Sequence, residues 1–122
     1  MKDIKDLKIT TAEGLSVKNY KRFPSSEWGE EGGMQADLYL KGVHVGTVYD
    51  AGDGGESNFY GSTKEYDVEA LKTASFNFLS RKDKNWNKYS FMPKQASAMR
   101  PEYYALVVDL IACYYNGKVR TI

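Results

Sequence analysis

The sequence predicts an α+β fold in one domain, residues 1–122, with a small antiparallel sheet from the N-terminal half packed by two main helices. Three observations predict it. A period-two pattern runs through 34–49. The pattern changes to a helical stripe over about 67–81. A strongly apolar segment over about 101–116 is opened by Pro101 and stopped by Asn116-Gly117. With 122 residues, 42% of them hydrophobic, the chain is long enough for one core and too short for two ordinary domains.

The first segment, "LKITTAEGLSVKNYKRF", alternates loosely and is rich in β-branched residues, with a turn or bulge expected at Glu13-Gly14. Residues 24–33, "PSSEWGEEGG", read as a loop. In the following hairpin Met34, Ala36, Leu38 and Leu40 share one face, and Gln35, Asp37, Tyr39 and Lys41 the other. Lys41-Gly42 reads as a tight turn. Val43, Val45, Thr47 and Tyr49 are expected on one face of the return strand, with His44 opposite them and facing solvent. Gly46 marks a bulge or a close approach of backbone. "NFYG" reads as a short strand.

Ser62 and Glu65 stand at capping-box spacing, and Asp67 is a second N-cap. Val68, Leu71, Phe78 and Leu79 trace the stripe of the first helix. Residues 82–99 are polar and irregular with aromatic insertions, which suggests a short helix or a functional loop. The last helix is apolar nearly all round, so it is expected either at the centre of the domain or in a homodimer interface. Cys113, among apolar neighbours, is expected in the core.

Charge and cysteine content exclude several roles. Net charge is +1, so no global field draws in DNA or an anionic membrane, and a strongly acidic DNA mimic is excluded. A single cysteine permits no intramolecular disulfide and fits a reducing compartment. The N-terminus lacks a signal-peptide layout, and the apolar stretch 103–115 is interrupted by Asp109 and too short for a bilayer. A cytoplasmic protein with no membrane attachment is expected.

The stretch "DAGDGGES", residues 50–57, invites a metal or phosphate reading. An EF-hand register starting at Asp50 places Gly52 and Gly54 at ligand positions; starting at Asp53 it places Gly55 third. Neither supplies the oxygens. No Gly-Lys-Ser/Thr ending supports a phosphate cradle. A hydrolase or metal site built from Asp50, Asp53, Glu56 and His44 stands as an alternative. One Cys and one His cannot close a usual zinc site, and a Cys113–His44 nucleophile pair has no supporting signature. No catalytic residue, metal ligand or cofactor is assigned, and a non-enzymatic protein is expected.

Two surfaces remain. The acidic, glycine-rich one carries Trp28, Glu30, Glu31, Asp50, Asp53 and Glu56, suited to docking on a basic protein surface with an aromatic anchor. The other, "RKDKNWNKYSFMPK", offers Arg81, Lys82, Lys84, Trp86, Lys88 and Tyr89, where cations interleaved with aromatics suit nucleic acid.

The run "ADLYLKGVHVGTVYDAGDGG" resembles a pattern found in small uncharacterised proteins of phages and conjugative elements. There a strand of the type "a-x-L-Y-h-x-G" turns back into "h-G-x-h" and closes on "D-G-x-G-G". The matching residues are Leu38, Tyr39, Gly42, Gly46, Asp50, Gly52, Gly54 and Gly55, with a shift around Ala51. The resemblance implies an origin in a mobile element and no established activity; such small proteins, acting in the bacterial host cell, are often inhibitors of host defence, anti-CRISPR proteins among them. The expected function is therefore a non-enzymatic protein that binds and inhibits a host protein, most concretely a defence nuclease. The alternative is a small nucleic-acid-binding accessory protein.

Overall fold

The computed structural model describes residues 3–23, 32–51 and 57–122. Its strands are β1 (Asp3–Thr10), β2 (Leu15–Arg22), β3 (Met34–Leu40), β4 (Val43–Asp50), β5 (Asn58–Gly61) and β6 (Arg120–Thr121). Among the described residues they form one sheet in the order β5-β4-β3-β2-β1-β6. All neighbours are antiparallel except β6, which lies parallel to β1 through Ile9–Arg120 and Thr10–Thr121. Helices α1 (Val68–Lys82) and α2 (Tyr104–Cys113) complete the α+β fold.

The alternation of β3 does what its period dictates. Met34, Ala36, Leu38 and Leu40 are buried, and the residues between them are half-buried on the other side. Lys41 (φ 50°) and Gly42 (φ 81°) both occupy the left-handed region, as a two-residue hairpin turn that matches strand twist requires.

In β4 the expected parity fails halfway. Leu38 faces Gly46, yet Tyr39 faces His44, so Val45 is an extra residue in a bulge. The bulge flips the faces. Val45 and Val48 are buried, Val43 is 49% exposed, and Thr47 and Tyr49 join His44 on the far side. Gly46 stands beside the bulge. A Cβ built there lies 2.3 Å from Cζ of Phe59 on β5, which bears out both readings of that glycine.

Asp67 caps α1, its Oδ1 accepting from the Ala70 N–H at 3.0 Å. The buried stripe of α1 is Leu71, Ala74, Ser75, Phe78 and Leu79; Val68, in the first turn, is 46% exposed. The second helix is shorter than 101–116. Pro101 opens a 3-10 turn, Pro101–Tyr103, and Tyr114 and Tyr115 donate to the carbonyls of Ile111 and Ala112, a tightened last turn that ends α2 before Asn116. Tyr104, Ala105, Val107, Val108 and Ile111 bury against the sheet core. The need of this apolar helix for cover is thus largely met within the chain. Cys113 is the last residue of α2 and is exposed, which corrects the expectation of a core cysteine. No helix among the described residues is long and apolar enough to cross a membrane.

Candidate functional site

The helices pack on the sheet face that carries Leu7, Val17, Leu38 and Val48. The opposite face is set by register. Lys18 pairs with Asp37, and Asp37 with Thr47; Gln35 pairs with Tyr49, and Tyr49 with Asn58; Thr47 pairs with Tyr60. Residues directly opposite in a ladder share a face, so Lys18, Asp37, Tyr39, His44, Thr47, Tyr49 and Tyr60 form one continuous surface.

At its centre Asp37 is held from two sides. Asn19 Nδ2 donates to Oδ2 at 2.8 Å, and Thr47 Oγ1 donates to Oδ1 at 2.7 Å. Asn19 reaches it from a second bulge, where Lys18 faces Asp37 and Lys21 faces Gln35 with two residues between them. Its backbone is left-handed, φ 53°, a conformation Asn tolerates better than most residues. His44 Nε2 lies 3.7 Å from Asp37 Oδ1, too far for a hydrogen bond, and is buried without a partner.

Rings surround this polar centre. Tyr39 and His44 have centroids 5.2 Å apart, and the Lys18 ammonium stands 5.0 Å from the Tyr39 ring. Phe23 lies against Tyr49 at 6.2 Å. Tyr60, on edge strand β5, is 60% exposed.

The arrangement does not build a nucleophile. A hydroxyl–His–carboxylate relay needs the hydroxyl bonded to imidazole, whereas Thr47 donates to the carboxylate itself. Of the set Asp50, Asp53, Glu56 and His44, the two described members, His44 and Asp50, are six residues apart on one strand, roughly 20 Å. Among the described residues no three His, Cys, Asp or Glu side chains are placed to hold a metal ion.

Of the acidic docking set, Asp50 ends β4 opposite Met34. Trp28, Glu30, Glu31, Asp53 and Glu56 lie outside the described residues. The roots of their two segments are adjacent. The Phe23 N–H donates to the Gly33 carbonyl at 2.9 Å, and a Cβ on Gly33 would meet the Asp50 carbonyl oxygen at 2.1 Å. Phe23, Gly33 and Asp50 therefore stand together at one end of the sheet.

The basic set is divided. Arg81 is committed to Glu13 through bonds of 2.8 and 2.9 Å and to the Ile122 carbonyl at 3.0 Å. Its guanidinium holds the Glu13 carboxyl below the usual value, and the pair ties α1 to the turn between β1 and β2. Trp86 is only 8% exposed, edge-on to Phe76 and Tyr103, with Nε1 donating to Ser80 Oγ at 3.1 Å. It is a core residue, not a stacking platform. Lys84, Lys88 and Tyr89 are exposed, and Lys82 lies over the Tyr114 ring at 5.1 Å.

The period-two pattern already placed Asp37 and Tyr39 together. Thr47, Tyr49 and Asn19 join them only through the two bulges, which no local signal marks apart from Gly46. Comparison with protein-family models, curated proteins and solved structures finds no match.

Proposed function

We propose that the chain is a non-catalytic binding protein that docks on a partner protein through the open face of its sheet. The observation that carries this reading is the surface of Tyr39, Tyr49, Tyr60 and Phe23 around the fixed carboxylate of Asp37. Tyrosines supply large contact area at low entropic cost and dominate many binding surfaces. Bulges and ladder bonds hold these rings in place before contact, which reduces the ordering cost of association. The flanking charges, Lys18 and Lys21 against Asp37, serve orientation more than affinity.

The acidic residues Glu30, Glu31, Asp50, Asp53 and Glu56 favour a partner with a basic surface. Together with the resemblance to mobile-element proteins, this makes a bacterial defence nuclease the first partner to test. Covering its basic nucleic-acid channel would inhibit it without chemistry, in the bacterial cytoplasm.

The test is affinity capture from a bacterial lysate with and without nuclease treatment, using the natural chain and a Tyr39→Ala/Tyr60→Ala variant. A defined protein retained after nuclease treatment and lost with the variant is the expected result. Equal capture by the variant would remove the sheet face from consideration.

A further inference from the structure

We propose that the loop following α1 carries a stacking platform for single-stranded nucleic acid, formed by Tyr89 and Phe91 with Lys84 and Lys88. This platform is separate from the open face of the sheet. Segment 81–94 holds five basic residues and one acidic, in a chain whose net charge is only +1. Arg81 and Lys82 end α1 and Arg81 is paired with Glu13, so within the loop Lys84, Lys88 and Lys94 stand against Asp83, an excess of positive charge.

The loop is built from the inside. Trp86 anchors it in the core. Asn87 Nδ2 donates to the Pro93 carbonyl at 2.7 Å, and the Met92 N–H to the Tyr89 carbonyl at 3.1 Å. The Lys94 ammonium donates to the carbonyls of Asn87 and Tyr89. Two of its three N–H donors are held by the loop, so Lys84 and Lys88 are the cations less committed to it.

This frame holds Tyr89 and Phe91 outward. Their rings are stacked, 5.6 Å between centroids and 8° from parallel. Phe91 is 78% exposed and Tyr89 54%. One face of Phe91 rests on Tyr89, so the other is open to a further flat ring. Lys88 Nζ lies 5.1 Å from the Tyr89 ring, placing an ammonium beside the stack. A base continuing the stack and phosphates beside Lys84 and Lys88 use both features, and neither requires sequence readout. A duplex has no unstacked base to offer.

The test is fluorescence anisotropy with a labelled twenty-nucleotide oligo-dT, the matching oligo-U and a duplex of the same length. Single strands should bind and the duplex markedly less. Raising salt from 50 to 200 mM should weaken binding about tenfold, as two or three phosphate contacts require. Phe91→Ala should lose about tenfold or more, and Phe91→Trp should retain binding. Phe91 is too exposed for either change to threaten the fold. Lys88→Glu should weaken binding and flatten the salt slope. No binding at 50 mM salt, equal binding of duplex, or indifference to Phe91→Ala would each overturn the proposal. So would loss, on Phe91→Ala, of a captured protein partner while oligonucleotides are ignored; that result would reassign the pair to a protein interface.

Discussion

Gly46 and Phe59 occupy one space: a single methyl on the glycine would stand 2.3 Å from the Phe59 ring and 2.7 Å from the Tyr60 carbonyl oxygen. The ring cannot swing freely aside, because it packs edge-on to Tyr104 at 4.7 Å. Gly46→Ala should therefore destabilise the fold by about 1–3 kcal/mol, the usual cost of overpacking. Phe59→Ala should rescue it only in part, since the backbone oxygen remains. Urea midpoints of the two single variants and the double variant check this; simple additivity would show that the ring is not the obstacle.

Asn19 serves two purposes, a left-handed residue in the β2 bulge and a donor to Asp37. Asn19→Gly keeps the first and loses the second, so it should cost about 0.5–1.5 kcal/mol. Asn19→Val loses both and adds a β-branched side chain at φ 53°, so it should cost more. Thermal melts that rank glycine below valine would contradict this account of the bulge.

Glu13 gives acid sensitivity a defined place. Its folded pKa is lowered, chiefly by the hydrogen bonds from Arg81. The pair's contribution is therefore present above the unfolded value of about 4.5 and lost as pH falls through the folded one. The guanidinium is 38% exposed, so the contribution should stay within about 1 kcal/mol. Glu13→Gln should flatten the stability profile below pH 4.5. An unchanged slope there would assign acid unfolding to other carboxylates.

Tyr104 acts at the other end of the scale. Burial pushes its phenol up to about 12, from an ordinary value of 10.0. Between those values the unfolded chain has lost the proton and the folded one keeps it, so stability falls as pH rises through that window. Tyr104→Phe should reduce the fall, measured by denaturant titration at several alkaline pH values. A variant as steep as the natural chain would mean that another group carries the effect.

Trp86 is predicted to matter for stability and not as a stacking surface. Trp86→Ala should cost about 3–5 kcal/mol, as for a large buried aromatic. Trp86→Phe should cost less and lose only the bond to Ser80 and part of the packing. A Trp86→Ala protein that melts with the natural one would place the ring outside the core.

Much of the fold was legible wherever a few neighbouring residues carry the signal. The alternation of 34–40, the turn at Lys41-Gly42, the short strand at 58–61 and the N-cap at Asp67 follow from period, permitted φ and capping chemistry. Tertiary structure decided the rest. β6 is two residues long and exists because Arg120 and Thr121 find β1. Val48 turns inward, and Thr47 and Tyr49 outward, because a bulge beside Gly46 shifts the register by one residue. Trp86 is drawn from a polar loop into the core by Phe76 and Tyr103. Cys113 is left outside where α2 stops. The physical reason is range. Periodicity and caps are properties of a few adjacent residues, whereas register, burial of an isolated ring and the making of a shared face depend on partners far along the chain.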